Sequence, residues 1–457
     1  MQLVAYGAQD VYLTGNPKVT FFQAVYKRHT NFAMEVIEQT VNGSAGNDGR
    51  LSVTIARNGD LIGDMFLELT ANTLLVSHAG NSSNLSGIWC AERAIKNIEL
   101  TIGGQRIDKH YQIWWRLYSE LYLGADKKNN YAKMTTSAAA ALANGTARGS
   151  NQVYLPLLFF FNRNPGLYLP LIALQYHEVR LDFDLSSEFT LYHSTSGVKV
   201  WGNYVYLDTE ERRRFAQKGH EYLIEQVQHT GSDSVTVSAT SVQQKQIRLS
   251  YNHPVKELVW AYNAGSSTNA GLWNFTSNLL TSNSVMLESA TRVNYAASNV
   301  VTLSPIGSSA GVPQFLGGLT IGGSGSANVS SAQWLEDGLA YNGAVIANMS
   351  CGPLSSFKLI LNGQDRFKEQ SGKYFNQVEP YMHHTGNPYP GIYSYSFALK
   401  PEEHQPTGTC NFSRIDNAQV QVTMKAGCID NTAQWMFAVN YNVLRIQSGM
   451  GGLAFSN

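Results

Sequence analysis

At 457 residues the chain is too long for one ordinary hydrophobic core, so two domains are the first expectation. Charged residues make up only 14% of it, and 33 Lys and Arg balance 33 Asp and Glu. Because phosphate neutralisation dominates nucleic-acid binding, a chain without a basic surplus is not expected to bind nucleic acid directly. So little charge indicates a protein that either covers much of its surface against partners or presents a polar, uncharged surface.

The chain begins with an arm that the sequence predicts to contain a short helix. In GNPKVTFFQAVYKRHTNF (15–32), Asn16 can cap a helix, and Pro17 suits its first position because no N–H partner is needed there. A basic run at 27–29 ends the pattern, where the helix dipole favours cations. Between them, apolar residues recur at near-helical spacing, at Val19, Phe22, Val25 and Tyr26. We therefore expect residues 1–28 to form an arm with a short helix, ahead of the first domain.

Most of the remaining chain alternates apolar and polar residues, which is typical of half-buried strands. VRLDFDL (179–185) places its apolar side chains on one face and its charged side chains on the other. The same alternation occurs in IELTI (98–102), QIRLSY (246–251), FKLIL (357–361) and AQVQVTM (418–424). Helical patterns are few: the arm, YQIWWRLYSELY (111–122) and YAKMTTSAAAALA (131–143). The expected fold class is all-β, with a few short helices.

Three pairs of similar segments occur in the same order in the two halves of the chain. GDMFL (63–67) matches KELVW (256–260), IELTIGGQRID (98–108) matches FKLILNGQDRF (357–367), and LIALQYHEVRLDF (171–183) matches FSRIDNAQVQVTM (412–424). Chance similarity among strands is the alternative explanation. The shared order favours two copies of one β-sandwich.

The repeats predict a first sandwich at 29–211 and a second at 219–447, followed by a tail at 448–457. The charged segment EERRRF (210–215) marks the junction, with a linker at 212–218. The stretch 263–345, rich in Ser, Asn, Gly, Thr and Ala, is interpreted as a large loop insertion in the second copy.

No motif in the sequence indicates catalysis, a cofactor or a metal site. The four cysteines form no CxxC pair, so reduced thiols are expected. Asp182 and Asp184 share a strand face, but a hard cation needs six or more oxygen ligands. Neither a GxSxG nucleophile elbow nor an HExxH metal motif occurs. We predict that the protein is not an enzyme.

Several blocks resemble the major capsid protein of the nucleocytoplasmic large DNA viruses. The blocks are GAQDVYLTGNPKVTFFQAVYKRHTNF (7–32), NPGLYLPLIALQYHEVRLDF (164–183), VKELVW (255–260), FSRIDNAQV (412–420) and NVLRIQSGMGGLAFSN (442–457), in the family's order. The resemblance implies two consecutive eight-stranded antiparallel jelly rolls (a double jelly roll) with long decorated loops. It also implies a homotrimeric, pseudo-hexameric capsomer that tiles an icosahedral shell, and no catalytic residues.

The resemblance places the chain in the outer capsid shell of a virion, assembled in the host cytoplasm. The implied partners are two further copies, neighbouring capsomers, minor capsid and penton proteins, and a nearby internal viral membrane. We expect the arm to lie under the first jelly roll. Phe21, Phe22 and Tyr26 would be buried against that jelly roll, a neighbouring subunit or a minor capsid protein. Lys27 and Arg28 could instead contact acidic lipid headgroups.

Two other functions fit the sequence. A carbohydrate-active or lectin-like jelly roll would use its abundant aromatic residues to stack on sugars. A minor coat or vertex component of the same virions is the second alternative. The two-copy architecture favours the tiling subunit, because a fivefold vertex does not match a unit with six similar lobes.

Overall fold

The chain forms a series of antiparallel sheets, with short helices between some of the strands. The computed structural model describes residues 7–72, 89–136, 151–263, 300–303, 319–322, 340–341, 344–345, 352–388, 391–426, 428 and 432–455. Most of the predicted insertion at 263–345 and the second half of the predicted helix at 131–143 therefore lie outside the described residues.

The first half of the described chain forms strands β1 to β10. They are β1 Phe32–Gln39, β2 Val41–Gly43, β3 Arg50–Thr54, β4 Leu61–Thr70, β5 Ile95–Ile102, β6 Gln105–Tyr111, β7 Gln152–Pro156, β8 Leu169–Pro170, β9 Val179–Leu185 and β10 Lys199–Leu207. One sheet has the order β1-β10-β4-β7, with β8 beside β4. The facing sheet has the order β2-β3-β9-β5-β6.

The second half forms strands β11 to β26. They are β11 His220–Gln228, β12 Asp233–Ser234, β13 Gln243–Leu249, β14 Pro254–Asn263, β15 Val300–Leu303, β16 Leu319–Gly322, β17 Ala340–Tyr341, β18 Ala344–Val345, β19 Leu354–Leu361, β20 Gln364–Asp365, β21 Gln370–Ser371, β22 Ile392–Ser396, β23 Cys410–Asn411, β24 Ala418–Met424, β25 Ala433–Gln447 and β26 Met450–Leu453. The two main sheets have the orders β11-β25-β14-β22 and β13-β24-β19-β20.

The two halves have the same topology. The order β1-β10-β4-β7 returns as β11-β25-β14-β22, and β3-β9-β5-β6 returns as β13-β24-β19-β20. Both halves even use the same two-residue hairpin: Gly103-Gly104 and Asn362-Gly363 all have positive φ, as a type I′ turn requires. The all-β, double jelly-roll prediction is confirmed, with eight principal strands in each roll.

Helices occupy some of the connections between strands. They are α1 Val11–Thr14, α2 Cys90–Arg93, α3 Gln112–Leu121, α4 Ala125–Thr135, α5 Phe160–Arg163, α6 Phe189–Tyr192, α7 Thr209–Gln217 and α8 Glu379–His383, the last preceded by a π-helical turn at Tyr374–Val378. Two 3-10 turns lie at Pro165–Leu167 and Phe412–Arg414. The helix predicted at 111–122 is confirmed as α3.

The helix predicted to begin at Pro17 is wrong. The arm contains a helix, but it is α1 at 11–14, and residues 17–31 form no helix. Asn16 has a φ of +51°, in the left-handed region, whereas a residue that caps a helix has an extended backbone. The β-branched and aromatic residues that follow have modest helix propensity and do not pack against the part of the chain that the structure describes.

The predicted linker and the predicted C-terminal tail both contain regular structure. Most of the predicted linker at 212–218 belongs to α7, which joins β10 to β11. Both guanidinium Nε and Nη2 of Arg212 on α7 donate to Asp60 Oδ2, each at 3.0 Å. The predicted tail at 448–457 contains β26, which pairs with the end of β25. The domain boundaries themselves stay a prediction.

Candidate assembly surfaces

The outer face of sheet β11-β25-β14-β22 is covered by the first jelly roll. Val259 and Ala261 on β14 and Phe437 and Val439 on β25 are all buried, and they belong to the same cluster as the core of the first roll. Their neighbours on β14, such as Leu258 and Trp260, belong to the core of the second roll. Since adjacent strand residues face opposite ways, this sheet is apolar on both faces. We call the contact between its outer face and the first roll the seam.

Helix α3 supplies an aromatic stripe to the seam. Trp114, Tyr118 and Tyr122 are spaced four residues apart and therefore lie on one face of the helix region. The ring centroid of Trp114 is 5.6 Å from that of Phe437, and the ring of Tyr122 meets that of His384 edge-on at 5.2 Å. The helix was predicted from the sequence, but its partner in the second roll was not.

A buried charged group crosses the seam. The Arg163 guanidinium of the first roll lies 2.9 Å from Glu225 Oε2, and Lys256 Nζ lies 2.6 Å from Glu225 Oε1. Burial alone would raise the pKa of Glu225, but the two cations outweigh it and lower the pKa overall. Burial lowers the pKa of Lys256, partly offset by the Glu225 carboxylate. Each charge therefore depends on its partners across or beside the seam.

His384 forms a second buried charged group next to Tyr122. Its Nε2 lies 3.1 Å from Glu257 Oε2, and its Nδ1 lies 3.3 Å from Glu402 Oε1. Burial alone would lower the pKa of His384, but the two carboxylates raise it to about 9. The imidazole is therefore a cation at neutral pH.

Hydrogen bonds between the rolls fix their relative position. The amide of Val227 donates to Asp108 Oδ1 at 3.1 Å, and the amide of Gly386 donates to the Leu121 carbonyl at 2.9 Å. At the far end, the amide of Leu453 donates to Gln105 Oε1 at 3.1 Å. Because hydrogen bonds are directional, these separate contacts favour one relative position of the two rolls.

The arm is a solvent-exposed segment with several aromatic side chains. Every residue from 11 to 31 is exposed, and the exposed fractions of Phe21, Phe22 and Tyr26 are 94%, 99% and 89%. The expectation that these side chains pack on the chain's own first roll is therefore wrong for the single chain. Lys27 and Arg28 are likewise exposed. The two remaining expectations, a neighbouring subunit or a minor capsid protein, stay predictions.

The described residues carry no arrangement suited to metal binding or to crossing a membrane. Within the described ranges, no group of three His, Cys, Asp or Glu side chains could hold a metal ion. The Arg180 guanidinium lies 2.7 Å from Asp182 Oδ1, so this carboxylate has a protein partner. No helix in this part of the chain is long and apolar enough to span a bilayer. Two jelly rolls joined through an apolar seam define a protein of the double jelly-roll class.

Comparisons with known proteins identify the family within that class. A family model for the large eukaryotic DNA virus major capsid protein matches residues 211–452, and one for the major capsid protein N-terminus matches residues 20–208. The chain is 43% identical to the major capsid protein of Paramecium bursaria Chlorella virus 1, covering 100% of this chain and 99% of that protein. It is 40% identical to the major capsid protein of Phaeocystis pouchetii virus, with the same coverage.

Solved structures agree with the sequence matches. A chain of the quasi-atomic PBCV-1 virus capsid superimposes with a TM-score of 0.68 at 39% identity, covering 96% of this chain and 100% of that one. The Faustovirus major capsid protein shares the fold, with a TM-score of 0.61 at 12% identity and coverage of 97% and 94%. The chain belongs to the large eukaryotic DNA virus major capsid protein family. It is a structural protein of the virus capsid and not an enzyme.

Proposed function

We propose that the chain forms homotrimeric capsomers with a pseudo-hexagonal outline that tile the icosahedral outer shell of a large double-stranded DNA virus. The observation that carries this proposal is the repeated topology of the two rolls. Three chains with two similar rolls each supply six similar lobes. A closed ring of three uses heterologous contacts, in which each copy offers one surface to a different surface of the next.

The remaining surfaces suit contacts outside the capsomer. We infer that the arm lies on the underside of the capsomer and contacts a minor capsid protein or a neighbouring subunit, because its large aromatic side chains are exposed. Lys27 and Arg28 would lie near an internal viral membrane, where each cation contributes about 1 kcal/mol beside acidic lipid. The insertion at 263–345 would face outward, and penton proteins would contact capsomers at the vertices. Assembly would take place in the host cytoplasm.

Electron microscopy of the purified protein, with sedimentation in parallel, tests the proposal. The expected particle is a trimer with a hexagonal outline and threefold symmetry. A monodisperse monomer or dimer would overturn the trimeric capsomer. Saturable binding of a sugar to that monomer would favour the lectin-like alternative.

A further inference from the structure

The first jelly roll has an uncovered counterpart of the seam. On the outer face of β1-β10-β4-β7, Phe66, Tyr154 and Trp201 are half-buried, and Met34 and Val36 on β1 are each 49% exposed. We call these five residues the open face. Charged residues border these side chains on the same face: Lys199 Nζ lies 3.9 Å from Glu38 Oε2, and Trp201 Nε1 donates to Glu68 Oε2 at 2.6 Å. Exposed apolar side chains rimmed by polar ones mark an interaction site more often than a free surface.

The open face and the covered face occupy equivalent positions. Trp201 on β10 pairs with Phe66 on β4, just as Phe437 on β25 pairs with Val259 on β14. β10 corresponds to β25 and β4 to β14, and the match of 63–67 with 256–260 aligns Phe66 with Val259. Trp201 therefore lies where Phe437 lies in the second roll. Phe437 is fully buried beneath α3, whereas Trp201 has no such cover within the described residues of the chain.

One difference between the two faces favours contact with a separate copy. Glu225 pairs with Tyr441 in the second roll, and the equivalent position in the first roll, paired with Val205, is Met34. At this position the covered face needs two cations to hold its buried carboxylate, whereas the open face has an apolar side chain. A partner that packs against Met34 therefore buries no charge at this position. Burying an unpaired charge would be costly.

The second roll also has a counterpart of α3. In the first roll α3 follows β6 and precedes β7, and in the second roll the helical segment 374–383 follows β21 and precedes β22. Phe375 and Glu379 anchor one side of this segment in the protein. Its other side presents Val378, Tyr381 and Met382, which are 40%, 88% and 51% exposed. A helical surface with the position of α3 is therefore left uncovered by the described residues of the chain.

We propose that segment 374–383 of one copy packs on the open face of a second copy and thereby repeats the seam between chains. The proposal rests on the trimeric capsomer proposed above and names its contact. Each copy has one such helical surface and one open face, so the contact is head-to-tail. Three of these contacts close a ring in which six rolls meet through six similar seams.

Two single substitutions break the contact from opposite sides. Tyr381→Glu places a charge on the helical surface, and Met34→Lys places one on the open face. Both positions are exposed in the single chain, so each variant is expected to fold, with an unchanged circular dichroism spectrum. Each is expected to raise the dissociation constant of the trimer by at least about tenfold in sedimentation or mass photometry. Val242→Glu is the matched control, because Val242 is 58% exposed and lies outside both surfaces.

Mixing the two variants tests the head-to-tail geometry. The Tyr381→Glu copy keeps an intact open face, and the Met34→Lys copy keeps an intact helical surface. We expect the equimolar mixture to form a heterodimer that cannot close into a ring, at concentrations where each variant alone is monomeric. Absence of that heterodimer where the wild type is fully trimeric would overturn the proposed contact.

The outcomes separate this contact from the trimer itself. If the wild type is trimeric and both variants remain trimeric, the proposed contact is wrong and the capsomer proposal stands. If only Met34→Lys dissociates the trimer, another segment, such as the arm, covers the open face, and the contact is again wrong. If the wild type is monomeric, the capsomer proposal itself fails.

Discussion

The indole of Trp114 in the first jelly roll packs on the ring of Phe437 in the second, with centroids 5.6 Å apart and planes inclined by 45°. Both side chains belong to one buried cluster that extends from the core of the first roll to the outer face of the second. Large aromatic contacts dominate interface energetics because each buries much apolar area. The two rolls are therefore expected to lose stability together when this contact is removed.

Phe437→Ala tests that coupling. Removal of a fully buried Phe leaves a cavity at the seam, and we expect the free energy of unfolding to fall by about 3–5 kcal/mol in denaturant titration. Val242→Ala shortens an apolar side chain that is 58% exposed and lies outside both proposed contact surfaces, and it is expected to change the free energy of unfolding by less than about 0.5 kcal/mol. Equal effects of the two substitutions would contradict the energetic role of the seam.

Glu225→Gln tests the buried charged group. The substitution leaves Arg163 and Lys256 without their carboxylate, and breaking such a buried group typically costs about 3–5 kcal/mol. Glu221→Gln is the control on the same strand: its partner Arg445 is 2.8 Å away, but both side chains are exposed, so the expected cost is at most about 1 kcal/mol. Urea unfolding at pH 7 compares the two variants, and a smaller loss for Glu225→Gln than for Glu221→Gln would contradict the assignment.

The pH dependence of Glu225 follows from the same contacts. Its pKa in the folded chain is lowered below its ordinary value of 4.5, so its contribution to stability is present above that value. The contribution is lost as the pH falls through the lowered pKa. The Glu225→Gln variant is therefore expected to lose less stability than the wild type on acidification, measured as the difference in Tm between pH 6 and the acid end of the reversible range.

His384 is expected to make the chain less stable in alkali. Its pKa is raised from 6.5 to about 9 in the folded chain, so its contribution is fully present below 6.5 and is lost as the pH rises through about 9. We expect the Tm of the wild type to fall over that interval, and the Tm of His384→Gln to fall less. His29→Gln, in the exposed arm, is the control and should follow the wild type. A wild-type Tm curve parallel to that of His384→Gln would contradict a charged His384.

Local periodicity predicted the all-β class and individual elements, the repeated segments predicted two copies, and neither predicted the contact surfaces. Strand β9 and helix α3 could be recognised because alternation and helical spacing lie within one short segment. The spacing of Trp114, Tyr118 and Tyr122 shows that they share a helix face, but not which strand covers them, since Phe437 lies far along the chain. The similar segments at 63–67 and 256–260 were the available signal for the equivalence of the two faces.

The arm shows that a helical pattern in the sequence does not always form a helix. Its spacing matches a helical pattern, yet most helical stability comes from packing an apolar face, and the described residues offer 17–31 no surface to pack against. Helical spacing of apolar residues in an exposed segment is therefore not sufficient to predict a helix.

Deletion of residues 2–27 tests the function of the arm. Because residues 11–31 are exposed, we expect the shortened protein to form trimers with an unchanged Tm and to assemble shells poorly. Replacement of Phe21, Phe22 and Tyr26 by Ser should reproduce the defect if the arm binds a protein surface, since those rings supply its apolar area. Replacement of Lys27 and Arg28 by Gln should reproduce it instead if attraction to acidic lipid dominates. Normal assembly, with unchanged protease sensitivity at the capsomer base, would show that the arm has no such function.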